Sequence, residues 1–326
     1  MKFPSVSRRA ALCGALSLLA CGSALAQPDS YPNKPITIVV GYPAGGSTDL
    51  SGRTLGAELS RKLGVPVIIE NVGGAGGAIG AQKVVNAAPD GYTLLVGASN
   101  EIAISRLVSA SVKYDVKDFT PIGLIATQPM VLVASQKSGV KTVEQFMTLA
   151  KQNPGKYSFG SSGVGTALHL AGEMVKDQGG LFMTHIPYRG VAPLANDLLG
   201  NNIEFGVFVL SSGLPHIRSG KLVALGTTEA RRSPMTPDIA ALAETPKLKG
   251  IDINIWFALM GPAGLPEPVV AKLKKALNES LQTPALRKKF EDSGSTVSPL
   301  NVDMPKFLAQ ETAKYKRIVD FAKIKE

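Results

Sequence analysis

The residues able to do chemistry in this chain gather in two glycine-rich loops. The first, Gly41-Tyr42-Pro43-Ala44-Gly45-Gly46-Ser47-Thr48-Asp49, follows the β-branched run Ile36-Thr37-Ile38-Val39-Val40. The second, Gly160-Ser161-Ser162-Gly163-Val164-Gly165-Thr166, follows Lys156-Tyr157-Ser158-Phe159 and precedes a helical stretch from Ala167 to Lys176. A strand, glycine turn and helix in that order leave backbone N–H groups pointing past the helix N-terminus, which makes a seat for an anion. Both loops have the glycine spacing of GxxxxGK[ST], but Ser47 and Thr166 stand where the lysine belongs, so nucleotide hydrolysis is not supported. Neither loop, nor the third cluster at Gly73, Gly74, Gly76, Gly77 and Gly80, has the GxGxxG offsets of a dinucleotide site. Neutral N–H and hydroxyl donors suit a carboxylate that is bound and later released. The other reading of each loop is a tight turn whose glycines only supply positive φ; two matched loops weigh against it.

Other chemistry is thin. His169, His185 and His216 show no HExxH or short ligand spacing, and no GxSxG elbow exists, because Val164 occupies the last position after Gly160 and Ser162. Glu291 and Asp292 read as a solvated helix end. Asp49 lies in the first turn of a helix, where it caps, pairs with Arg53 at i+4, or orients the glycine loop. No metal or cofactor is expected, and the chain is not read as an enzyme.

The N-terminus speaks to compartment. Lys2, Arg8 and Arg9 precede an apolar stretch, Ala10 to Ala20, too short to span a bilayer, and Ala24-Leu25-Ala26 is an A-x-A cleavage site. A signal peptide over residues 1–26 and a periplasmic protein are therefore expected. Cys21 as a lipoprotein acceptor and Ser7-Arg8-Arg9 as a twin-arginine signal are the lesser alternatives. Both cysteines, Cys13 and Cys21, fall in this segment, so the remaining chain has no disulfide, thiol nucleophile or cysteine metal site. The net charge of +10 becomes +7 without Lys2, Arg8 and Arg9, enough to steer anions weakly. Basic residues are interspersed with acids and aromatics are few, which excludes a nucleic-acid footprint.

The elements that would position the loops repeat. Residues 35–97 read strand, glycine loop, helix, strand, glycine loop, helix, strand; residues 156–209 repeat the order with a turn at Arg189-Gly190. Each half is a βαβαβ unit with parallel strands and right-handed crossovers. Ligands of open parallel sheets bind at the carboxyl ends of the strands, where both loops sit, so two lobes would aim their loops into one cleft. Pro121 to Val133, read as two strand-like runs interrupted by Pro129, and Lys221 to Thr227 are candidate hinge strands. The expected fold is α/β, a two-lobed binding protein: lobe 1 from residues 27–126 and 229–326, lobe 2 from 127–228, each a mainly parallel sheet flanked by helices. After Trp256 the chain reads as helical, and a last helix, Met304 to Ala322, is expected to dock on lobe 1.

Several motifs together resemble the Bug/TctC receptors, the extracytoplasmic solute receptors of tripartite tricarboxylate transporters. They are Tyr31-Pro32-Asn33-Lys34-Pro35-Ile36 leading into the first loop, Glu70-Asn71 with Gly74-Ala75-Gly76-Gly77, and Ser161-Ser162-Gly163 through His169-Leu170-Ala171-Gly172-Glu173. Pro187-Tyr188-Arg189-Gly190, Asp197-Leu198-Leu199-Gly200, Pro215-His216-Ile217 and Trp256 followed by Gly261-Pro262-Ala263-Gly264 extend the likeness over the chain. The resemblance implies a type II-like periplasmic binding protein that closes on a small carboxylate solute. It implies contacts from Tyr42, Gly45, Gly46 and Ser47 of the first loop, and Ser161, Gly163 and Thr166 of the second, with Ser99 and Asn100 facing the cleft. Arg189 either meets a second acidic group or is a solvated loop arginine. Phe208 stands near the place where the family commonly has an Asp, so an apolar cleft wall favouring an aliphatic or aromatic acid is expected there. The implied partners are membrane subunits of the transporter or a sensor kinase, with the receptor a monomer. An exported bilobal enzyme such as a hydrolase, or a ligand-presenting sensor component, is the alternative function.

Overall fold

The computed structural model describes residues 31–233 and 236–325; the expected signal segment, with Cys13 and Cys21, lies outside the described residues. From Lys34 on, the described residues form one body. That body opens with β1 (Ile36–Val40), α1 (Ser47–Leu63), β2 (Val67–Asn71), α2 (Ala78–Val85) and β3 (Thr93–Ala98). β1 lies between β2 and β3 and is parallel to both. Ile36, Ile38, Val39 and Val40 are all buried, because helices cover both faces of a parallel sheet and leave no polar alternation. Gly52 and Gly56 bring α1 down onto this sheet: a Cβ at either would come within 2.9 Å of Val40 or Ile69 respectively.

β3 runs into a π-helical turn (Asn100–Ile104) continued by α3 (Ser105–Val108), elements that the sequence did not suggest. Next comes β4 (Phe119–Ser135), a single 17-residue strand rather than two runs broken at Pro129. Up to Pro129 it pairs antiparallel with β9 (Asn254–Pro262); from Met130 it pairs with β7 (Phe205–Val209) and β8 (Leu222–Thr227). Pro129 has no N–H to give a ladder, and it sits where β4 changes partners, so the strand tolerates it. The prediction of helix alone after Trp256 is corrected by β9, which holds Trp256 between β3 and β4. Trp256 to Met260 is an unbroken buried apolar run, a pattern shared by core strands and buried helices.

The second unit contains α4 (Val143–Gln152), β5 (Ser158–Ser161), α5 (Ala167–Gly179), β6 (Thr184–Pro187), α6 (Val191–Leu199), β7, α7 (Leu210–Arg218) and β8. β5 lies between β6 and β7, parallel to both, as β1 lies between β2 and β3. α8 (Glu267–Leu281), α9 (Pro284–Asp292), β10 (Thr296–Val297) and α10 (Met304–Ala322) complete the chain. α10 packs on the π-helical turn and β4, but also on α5 of the second unit, so its docking is wider than the expected single lobe. Trp256 Nε1 donates to Glu311 of this helix at 3.0 Å and Tyr315 donates to the Asn254 carbonyl at 3.1 Å.

Where β4 changes partners, Gln128 is buried and joins three segments. Its amide donates to Ser293 O (2.9 Å) and Ser295 Oγ (2.8 Å), and its carbonyl accepts from Ser211 Oγ (2.8 Å). Gln128→Leu keeps the volume but strands these polar atoms. A loss of about 1–3 kcal/mol in urea unfolding is expected; an unchanged midpoint would show that the three bonds add nothing to stability.

Candidate functional site

The first loop is held from below by Asp49. This carboxylate is buried, and its Oδ2 accepts from Gly45 N–H and Arg53 Nε, both at 2.9 Å, while Oδ1 accepts from Asn71 Nδ2 at 2.8 Å. Burial disfavours its charge, but the hydrogen bonds from Arg53, Gly45 and Asn71 outweigh that and hold its pKa below the usual carboxylate range. Asn71 also donates to Tyr42 O at 2.9 Å. Asp49 thus orients the loop as well as pairing with Arg53. The helix behind it has Gly46 as N-cap and no side-chain cap, so its first-turn N–H groups stay open toward the loop.

The third glycine cluster proves to be a packing surface for this loop. A Cβ on Gly41 would lie 2.7 Å from the Gly77 carbonyl oxygen, and one on Gly80 2.8 Å from Gly41 Cα. The Tyr42 hydroxyl reaches Gly76 O at 2.6 Å and Glu101 Oε2 at 2.9 Å. Gly41→Ala forces backbone against backbone, so a loss of about 1–3 kcal/mol is expected from denaturation; wild-type stability would mean that the two loops separate freely.

The second loop is built from its own side chains. Thr166 caps α5, accepting from His169 N–H at 3.3 Å and donating to Gly163 O at 2.9 Å. Ser161 is fully buried; its Oγ meets His185 Nε2 at 2.6 Å and accepts from Gly163 N–H at 3.2 Å. Gly165 N–H donates to His169 Nδ1 at 3.1 Å, and the His169 and His185 rings stack with centroids 3.7 Å apart. Burial, then the neighbouring His169, pushes the His185 pKa down to about 3, so it stays neutral. The turn after β6 is tied to this loop, Tyr188 N–H to Ser161 O at 3.0 Å and Gly190 N–H to Ser162 O at 3.2 Å. Arg189 stands exposed on that turn.

Asn100 joins the two loops. Its Nδ2 donates to the Tyr42 hydroxyl at 3.0 Å, and its Oδ1 accepts from Ala167 N–H, in the first turn of α5, at 2.7 Å. Beside it, Val108 fills the space where a Cβ on Gly165 would lie, 2.4 Å away. The fold therefore brings Tyr42, Asn100 and the Ser161–Thr166 loop together, with Arg189 on the adjoining turn. Two expected residues lie elsewhere. Ser99 is wholly buried beneath the π-helical turn, and Phe208 is wholly buried in the apolar core with Val131, Leu194, Leu198 and Leu214. β7 turns Phe208 to the helix-covered face of its sheet, so it is a core residue and forms no cleft wall.

Glu101 is the residue that sequence reasoning missed. It is 1% exposed, accepts from Ala98 N–H at 2.6 Å and touches Tyr42. Burial raises its pKa to about 7, against the pull of the bonds from Ala98 and Tyr42. A lone acid at the head of the apolar run Ile102-Ala103-Ile104 was the available signal. Between an ordinary value of 4.5 and about 7, the folded state keeps a proton that the unfolded chain has lost. The contribution of Glu101 to stability is then greatest below about pH 4.5 and falls as pH rises to about 7. Denaturation across pH 5–8 should show this loss, on the order of 3 kcal/mol, in wild type and not in Glu101→Gln; parallel profiles would contradict it.

Two βαβαβ units joined by long crossing strands, with a glycine loop of each brought to one place, define the two-lobed α/β fold of periplasmic binding proteins. The solved periplasmic binding protein BugD aligns with a TM-score of 0.84 at 32% identity, covering 90% of this chain and 99% of that one. Rpa4515 of R. palustris, solved with adipate, aligns at 0.86 with 29% identity over 90% and 99% of the two chains. MatC of Rhodopseudomonas palustris, solved with bound malate, aligns at 0.82 with 28% identity over 89% and 100%. The pattern of the tripartite tricarboxylate transporter family receptors, TctC, matches residues 52–324. The chain belongs to that family, which is one of solute-binding receptors.

Proposed function

We propose that this chain is an extracytoplasmic receptor that captures a small carboxylate-bearing metabolite between its two glycine loops and delivers it to the membrane subunits of a tripartite transporter. The observation that carries the reading is Asn100, which binds the first loop through Tyr42 and the second through Ala167 N–H, so two helix N-termini serve one place. The uncapped first-turn N–H groups of α1, with the positive ends of two helix dipoles, favour an anion without a buried counter-charge. The contacts proposed are Tyr42, Gly45, Gly46, Ser47 and Asn100 on one side, and Gly163 and Thr166 on the other, with Ser161, fully buried on His185 and Gly163, shaping the second loop from behind.

The ligand class follows from the same geometry. Phe208 lies in the core, which removes the ground for an aromatic preference, and Arg189 is an exposed cation beside the second loop. Relatives hold adipate and malate, both aliphatic diacids. One carboxylate seated at the loops and a second at Arg189 fits this chain. The lobes proposed are residues 27–126 with 229–326, and 127–228; the partner change of β4 at Pro129–Met130 supports a hinge there. Export with cleavage after Ala26 and a passive, non-enzymatic role complete the reading.

Thermal unfolding of residues 27–326 against mono-, di- and tricarboxylates, amino acids and aromatic acids tests it. Ligand at 100 times its Kd stabilises by about 2.7 kcal/mol, and a selective shift for diacids is expected; a flat panel opposes the proposal. Arg189→Ala should weaken a dicarboxylate by about 1.5–3 kcal/mol and leave a monocarboxylate nearly unchanged. Equal losses for both would remove Arg189 from the site.

A further inference from the structure

The contacts around Tyr42 do not close unless a proton is added. Its hydroxyl has one hydrogen, yet two acceptors lie in range, Gly76 O at 2.6 Å and Glu101 Oε2 at 2.9 Å, while Asn100 Nδ2 donates to its oxygen. With Glu101 ionised, one acceptor goes without. With Glu101 protonated, the acid donates to the Tyr42 oxygen, Tyr42 donates to Gly76 O, and every member is satisfied. Glu101 Oε1 keeps the Ala98 N–H in either state.

We propose that Glu101 is a proton-linked positioning residue: its carboxyl takes up a proton as the anion seats, and the protonated acid fixes Tyr42 and, through Asn100, the second loop. The inference rests on the carboxylate reading of the two loops. An anion beside a buried carboxyl raises that carboxyl's proton affinity, and by linkage the protonated protein binds the anion more tightly. Burial already holds Glu101 near neutrality.

Among the described residues, no charged side chain bonds to the Glu101 carboxyl. Tyr114 donates to the Glu101 main-chain carbonyl at 2.7 Å, not to its carboxyl. Of the elements packed on the π-helical turn, α3 directs Arg106 to Val112 O and α2 pairs Lys83 with Glu70. α10 brings Tyr315 and Glu311 to Trp256 and Asn254. β3 and the turn Ala75–Gly77 carry no titratable group. His169 and His185 stack on each other and bond within the second loop, His169 to Gly165 N–H and His185 to Ser161 Oγ.

Calorimetry with malate and adipate as probes, at pH values where both of their carboxylates are ionised and in buffers of different ionisation enthalpy, tests the proposal. Wild type should take up a proton on binding above pH 7, with Kd weakening by up to tenfold per unit. Glu101→Gln, whose amide can donate to Tyr42 as the protonated acid does, should bind with no Glu101 uptake and a flat pH profile. The carboxyl carbon NMR signal of Glu101 in wild type supplies a readout free of any variant: its titration should move to higher pH when the probe is added. Binding without proton uptake, uptake undiminished in Glu101→Gln, or a carboxyl signal unmoved by bound probe would overturn the inference and leave the receptor reading standing. A Glu101 signal that titrates near neutrality while neither probe binds at any pH would overturn the diacid reading and the linkage together.

Discussion

A single amide, that of Asn100, is the interaction on which the site depends. The first N–H groups of a helix have no partner inside it, and α5 fills one of these vacancies with the Asn100 carbonyl oxygen. The opposite end of the same side chain holds the Tyr42 hydroxyl. Two loops separated by more than a hundred residues are thereby set in one register, with uncapped helix N–H groups beside the first. Asn100 and Glu101 open the π-helical turn at the end of β3, and both reach the Tyr42 hydroxyl.

Behind this contact stands the frame of β4. A strand that pairs with β9 along one part and with β7 and β8 along the next ties the parallel units together through backbone alone. Pro129 stands at the change of partner, and Gln128 beside it is bonded to Ser211, Ser293 and Ser295 at the same level.

Much of this was legible in the sequence. β1 and the parallel units announced themselves because a β-branched run followed by a glycine turn and a helix has one economical packing. Asp49 was readable first as a cap and second as an organiser of the loop; the helix has no side-chain cap, and Asp49 holds Gly45 N–H instead. β9 was not, since an unbroken apolar run such as Trp256 to Met260 carries no period that separates strand from helix. Glu101 and Phe208 show the limit for the site. Which face of β7 meets the core depends on the helices covering it, and Glu101 gains its properties from Gly76, Tyr42 and Ala98, which only the fold assembles. The third glycine cluster lacks the offsets of a dinucleotide site, and its glycines serve the close approach of Gly77 and Gly80 to Gly41.

The most direct measurement is a backbone amide NMR titration of residues 27–326 with adipate. If both loops seat one carboxylate ligand, the amides of Gly45, Gly46 and Ser47 and those of Gly163 and Thr166 shift together along one saturation curve. Shifts confined to one loop, or centred away from both, would contradict the shared seat.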